Sequence, residues 1–154
     1  KVLLFPGDAE LGSWKSWHDK LRWDVKIKGK TEKKTAKYFL ENTVFYKVGH
    51  HLSQNGTAKT LGLELMTSDE LTAMATLDFK KINDGWLNTM PNDLIGAELI
   101  SKTKGKIYFV GDAAKILKNI KTKRVTVKKK DEDMLLKLNK PFTGEFFIDC
   151  EIEG

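Results

Sequence analysis

Asp8, His50 and His51 are the side chains in this sequence whose types and spacing could do metal or acid–base chemistry. Asp8 ends the run Val2–Leu3–Leu4–Phe5–Pro6–Gly7–Asp8–Ala9, and the histidine pair ends Tyr46–Lys47–Val48–Gly49–His50–His51. Both runs are short and apolar and stop at glycine, the pattern of a buried strand. A carboxylate and an imidazole at strand ends belong to the donor set of Zn, Mn or Fe hydrolytic centres, where a metal lowers the pKa of water and polarises a scissile bond. A carboxylate has two oxygens, so Asp8 could bridge two ions. Successive residues on a strand face opposite ways, so one histidine of the pair is expected to ligate. The competing reading of Asp8 is a helix N-cap. Asp78 and Asp112 end two further strand-like runs and would reach the same edge of a sheet.

The elements that would position these groups follow from periodicity. Leu11, Trp14, Trp17 and Leu21 recur at spacings of three and four, so an amphipathic helix with its tryptophans in the core follows the first strand. His18 lies on that helix with no second ligand at suitable spacing and reads as structural. The lysine-rich stretch from Asp24 to Thr35 reads as a charged loop, and Lys37–Leu40 as a turn of helix. Thr43–Val48 is β-branched and aromatic, hence a strand. A short helix is expected around Leu61–Met66, a third strand over Leu71–Leu77, and a helix N-capped by Asn92 and stopped by Gly105. Lys106–Val110 is a fourth strand. Arg124–Val127, Met134–Leu138 and Glu145–Ile152 alternate like antiparallel strands. The expectation is an α/β fold, a mixed sheet with helices and antiparallel strands near the C-terminus. Gly111–Asp112–Ala113 echoes Gly7–Asp8–Ala9, but the flanks do not align and no repeat is read.

Composition bounds the function classes. The 154 residues, 40% hydrophobic and 31% charged, fit a single domain spanning 1–154. No apolar run approaches the roughly 20 residues of a spanning helix, and the N-terminus lacks a signal peptide's apolar core, so a cytoplasmic protein without a membrane span is expected. The chain opens on Lys1 rather than Met, which raises the expectation of an upstream portion. The single Cys150 excludes an internal disulfide and a cysteine-rich zinc site. A net charge of +6 admits nucleic acid as a partner, through Lys115, Lys118, Lys121, Lys123, Arg124, Lys128, Lys129 and Lys130. That excess is nearly all lysine, Arg22 and Arg124 being the arginines, and no aromatic between Lys115 and Lys130 offers a stacking surface.

Three ordered segments carry a family resemblance: Phe5–Ala9 continuing through Gly12–Ser13–Trp14 to Trp17, then Tyr46–His51, then Gly62–Met66. Together they resemble the C-terminal half of a metallo-β-lactamase-fold hydrolase, whose whole is an αββα sandwich. The likeness is to the bacterial group that includes the lactamase-like domain of the DNA-uptake channel protein, and it covers roughly residues 2 to 80. The resemblance implies that Asp8 bridges two metal ions, zinc or another divalent metal, that His51 is a metal ligand completing the shell of the second ion, and that His50 is a catalytic neighbour facing substrate. It also implies hydrolysis of a phosphodiester, ester or amide. Two departures stand out. Leu52 and Gln54 replace residues that relatives use beside the His pair, which favours a degenerate, non-catalytic binding or structural module as the alternative. The family's His-x-His-x-Asp-His motif is absent, so this chain is expected to be incomplete as an enzyme and to require the N-terminal half of the same protein as its partner.

Overall fold

Apolar runs of three to five residues, each too short to bury itself as a helix, align into one parallel sheet. The computed structural model describes residues 1–77, 90–110, 113–122 and 125–140. Its elements are β1 (Val2–Leu4), α1 (Leu11–Lys20), β2 (Trp23–Ile27), β3 (Lys30–Lys34), α2 (Ala36–Glu41), β4 (Thr43–Lys47), β5 (Thr72–Thr76), α3 (Asp93–Lys102), β6 (Ile107–Val110), α4 (Ala113–Thr122) and α5 (Lys129–Leu138). The main sheet runs in the order β1-β4-β5-β6, and all three pairings are parallel. The fold is therefore α/β, as the sequence implies, and among the described residues antiparallel pairing is confined to a separate two-stranded unit.

The register explains which residues make the core. Leu4 pairs with Tyr46, Tyr46 with Ala73, and Ala73 with Ile107, so these four share one face of the sheet. Tyr46, Ala73 and Ile107 are fully buried, and the same core cluster takes in Trp14 from α1, Leu99 and Ile100 from α3, and Ile116 and Ile120 from α4. Alanine is a weak strand former, yet Ala73 and Ala75 are both fully buried in β5. Their small side chains let the covering elements approach closely.

Four expectations are corrected. The first run was expected to be a buried strand, but β1 is an edge strand with Leu3 53% and Phe5 62% exposed. The charged loop over 24–35 is instead the β2–β3 hairpin, turning at Lys28–Gly29. Trp23, Val25 and Ile27 alternate with polar residues, and that period of two outweighs the lysine content. Met134–Leu138 belongs to α5 rather than to a strand: Asp131, Glu132 and Leu135 are buried at helical spacing, and the two acids sit in the first turn where the helix dipole favours them. Residues 125–128 form no strand. Within α1, Trp14 is buried as expected, while Leu11 at its start is 59% exposed and Leu21, just beyond its end, 41% exposed. The expected strand over Glu145–Ile152, with Cys150, lies outside the described residues. Among the described residues no helix is long and apolar enough to cross a membrane.

The α3 N-terminus forms as the sequence indicates, with the Asn92 side chain accepting from the Leu94 and Ile95 amides at 3.1 and 3.0 Å. Another asparagine finishes the sheet. The Asn139 side chain accepts from the Phe109 amide at 2.7 Å and donates to the Ile107 carbonyl at 2.8 Å, so it stands in for a neighbouring strand on β6. It also donates to Leu135 O at 2.9 Å, which ties the end of α5 to the same edge. Asn139→Ala leaves these groups without their partner and is expected to lower unfolding free energy by about 1–3 kcal/mol in urea denaturation.

Candidate functional site

All strands of the main sheet point the same way, so the segments that follow β1 and β4 emerge at one sheet edge. The β1 segment is a tight turn in which the Ala9 amide donates to Pro6 O at 3.1 Å. Gly7 takes φ +58° in that turn, a conformation that costs glycine little and presents Asp8 to solvent. Asp8 does not cap α1. Glu10 holds that position, and no side chain there bonds the helix amides.

The β4 segment meets this turn backbone to backbone. A Cβ added at Gly49 would lie 2.5 Å from Gly7 O and 3.3 Å from Pro6 Cγ. Only a glycine allows that approach. A further link runs between the two segments' continuations, where Asn55 Nδ2 donates to Glu10 Oε1 at 2.7 Å. Folding thus brings the Asp8 turn and the histidine pair together, whereas Asp78 and Asp112, expected at the same edge, lie outside the described residues.

The histidines do not alternate as strand residues would. His50, His51 and Leu52 take φ values of +44°, +49° and +61° and form a left-handed turn of three non-glycine residues. Each such residue costs roughly 1–2 kcal/mol, and strain of this kind persists only where the surroundings over-determine it. Here they do. The Leu52 amide donates to Gly49 O at 3.1 Å, the Ser53 amide to His50 O at 2.9 Å, and the Asn92 amide to Leu52 O at 2.7 Å. The Leu52 side chain is fully buried, with one methyl 3.5 Å from where a Cβ on Gly96 of α3 would stand. Leu52 therefore anchors the turn in the core.

The two imidazoles have different surroundings. His51 is exposed, and its Nδ1 lies 3.1 Å from the Thr76 carbonyl at the end of β5. A carbonyl only accepts, so Nδ1 carries the proton and Nε2 keeps its lone pair. His50 is half-buried, and its Nδ1 is enclosed without a hydrogen-bond partner among the described residues. An enclosed lone pair is less costly than an enclosed N–H, which places the His50 proton on Nε2. His18 has a structural contact, its Nε2 2.7 Å from Leu61 O.

His50 lines a cavity of about 880 Å³ between the left-handed turn, the 54–59 loop and the N-terminal turn of α3. Sequence reasoning missed its apolar wall: Leu11 was read only as part of an amphipathic helix's repeat, yet it lines the cavity together with Met90, Leu94 and Ile95. The exposure of a leucine at helical spacing cannot be read without knowing where the helix docks. Beneath the cavity, the buried Tyr46 hydroxyl bonds Thr57 Oγ1 at 2.8 Å. Burial pushes the Tyr46 phenol up to about 12, with the Thr57 and Gly49 hydrogen bonds opposing.

Among the described residues no group of three or more His, Cys, Asp or Glu could hold a metal ion. Asp8 carries a carboxylate and His51 an imidazole, side chains of types that can ligate metals. The basic stretch is partly neutralised: Lys121 pairs with Glu132 at 2.9 Å and Lys129 with Asp133 at 2.5 Å, while Lys123 and Arg124 lie outside the described residues. No family model, no curated protein and no solved structure matches this chain.

Two measurements check this site. The folded state holds the Tyr46 proton more tightly than the unfolded chain, so the Tyr46 contribution to stability is fully present below about pH 10 and is lost between about pH 10 and 12. That alkaline loss should amount to roughly 3 kcal/mol and be absent in Tyr46→Phe, as read by urea denaturation across the range. Asparagine tolerates the left-handed region and has no ring nitrogen to enclose, so His50→Asn is expected to raise unfolding free energy by about 1 kcal/mol. A decrease would show that the turn is not strained at this residue.

Proposed function

We propose that this chain is the C-terminal part of a metal-dependent hydrolase of the metallo-β-lactamase type, with Asp8 and His51 as metal ligands and His50 facing the substrate. The observation that carries the reading is the strained left-handed turn at His50–Leu52, held against the Gly7–Asp8 turn by the Gly7–Gly49 backbone contact. Strain maintained by so many contacts at one sheet edge favours a functional use over a passive loop.

The roles follow from the groups present. Asp8 projects a solvent-facing carboxylate whose two oxygens can serve two ions. The Thr76 carbonyl fixes the His51 tautomer by accepting from Nδ1, the arrangement that orients an imidazole to ligate through Nε2. A divalent metal such as zinc, when bound, supplies Lewis acidity and lowers the pKa of water. His50 lines the adjoining cavity and offers its Nε2–H to an acceptor on the substrate. The remaining ligands come from outside the described residues, in this reading from an N-terminal half of the same protein. A degenerate, non-catalytic module is the second reading. The observation that favours it is Gln54, which lines the cavity with a neutral amide where the resemblance leads to an imidazole.

Calorimetric Zn²⁺ titration of the protein with its N-terminal half decides between them. Two ions per chain are expected, with Asp8→Ala abolishing at least one and His51→Ala weakening binding at least tenfold, while His18→Ala binds as the unaltered protein does. No measurable Zn²⁺ binding would leave the non-catalytic reading.

A further inference from the structure

The cavity beside His50 has a chemical character that the proposed hydrolysis leaves open. Its volume of about 880 Å³ is at the upper end of the range that encloses small ligands. Leu11 and Leu94 stand at its edge 59% and 62% exposed, and Met90 and Ile95 extend the same apolar wall. Exposed leucines converging on one concavity are a cost in water that an apolar ligand would remove.

The polar lining is sparse, and much of it is already committed. Asn55 is spent between Ser53 and Glu10, Thr57 on Tyr46, and the Asn92 oxygen on the α3 amides. The His50 ring and the Gln54 amide have no hydrogen-bond partner among the described residues. Lys59 brings a positive charge, held only loosely by Glu64 at 3.6 Å. Among the described residues no carboxylate lines the cavity. Its free groups are chiefly donors: the His50 Nε2–H, the Gln54 and Asn92 amide hydrogens and the Lys59 ammonium. An apolar body carrying oxygen acceptors or one negative charge complements this lining. A cationic ligand does not, and a nucleic-acid backbone would bring successive phosphates to a wall with one cation.

We propose that this cavity is the acyl site of the chain, taking the apolar acyl group of a carboxylic ester or amide between Leu11 and Leu94 and receiving its oxygens at His50 and Lys59. The catalytic half of this statement rests on the hydrolase reading above, while the binding half does not. Hydrolysis adds one water across the acyl bond: the acyl carbon gains the hydroxyl, the carbon–oxygen or carbon–nitrogen bond breaks, and the leaving atom gains the proton. The product is a carboxylic acid, ionised at neutral pH and suited to the same donors.

Calorimetric titration of the metal-free chain, in the presence of EDTA, with octanoate and separately with octylammonium tests the site. Octanoate is expected to bind saturably and at least tenfold more tightly than octylammonium. Leu94→Asp places a carboxylate at an exposed position in the first turn of α3, where the helix dipole tolerates it, and should weaken octanoate at least tenfold with an unchanged circular dichroism spectrum. Failure of octanoate to saturate, equal affinity for the two probes, or an unchanged Leu94→Asp variant would each overturn the proposal. Octanoate binding by a protein that takes up no Zn²⁺ would support the acyl site while removing the hydrolase reading.

Discussion

The arrangement at the sheet edge depends on one backbone contact, between the carbonyl of Gly7 and the α-carbon of Gly49. Parallel pairing alone brings the ends of β1 and β4 to the same side of the molecule. It does not set how closely the following segments approach. The absence of a side chain at Gly49 does, and it lets the Asp8 turn rest directly on the segment that carries both histidines. Gly56 extends the same packing, since a Cβ there would lie 2.6 Å from that of His50.

That closeness has an energetic counterpart. Three residues in the left-handed region would not persist in an isolated peptide, because each disfavours it by roughly 1–2 kcal/mol. The turn is kept by what surrounds it: the buried Leu52 side chain, the Asn92 amide from the start of α3, and the Thr76 carbonyl at the end of β5. The same anchors fix the His50 and His51 side chains in different environments, one half-buried and lining an open cavity, the other exposed with an oriented ring. A division of labour between neighbouring residues thus arises from a turn rather than from strand alternation.

Much of the sheet was legible in the sequence because its signals are local. Thr43–Val48 is β-branched and aromatic, Asn92 stands before an apolar periodic run, and both do what those patterns imply. The hairpin over 23–34 was hidden because β3 is mostly lysine and glutamate, and a solvated strand lacks the apolar content that announces a buried one, leaving the alternation of β2 without a visible partner. The helix over Lys129–Leu138 was hidden for the opposite reason: Met134–Leu135–Leu136 reads as a strand in isolation, and helical burial of Asp131 and Glu132 is apparent only once α5 has docked. Asp8 and the histidine pair were legible as candidates from residue type alone. The left-handed turn between Gly49 and Ser53 was not, because non-glycine residues adopt it only under tertiary constraint, and the cavity was not, because its wall draws on α1 and α3 together.

The Gly7–Gly49 contact is tested most directly by adding a methyl group to it. Gly49 has φ −75°, open to any residue, so Gly49→Ala acts through sterics, chiefly a collision with Gly7 O at 2.5 Å and tighter contacts with Gly56 O and Pro6 Cγ at 3.3 Å. Gly12 in α1 is the matched control, because a Cβ there meets nothing within 4 Å and alanine favours helix. Urea denaturation should show Gly49→Ala losing about 1–3 kcal/mol, whereas Gly12→Ala gains up to about 1 kcal/mol. Equal or greater stability of Gly49→Ala than of the unaltered chain would contradict the contact and the site built on it.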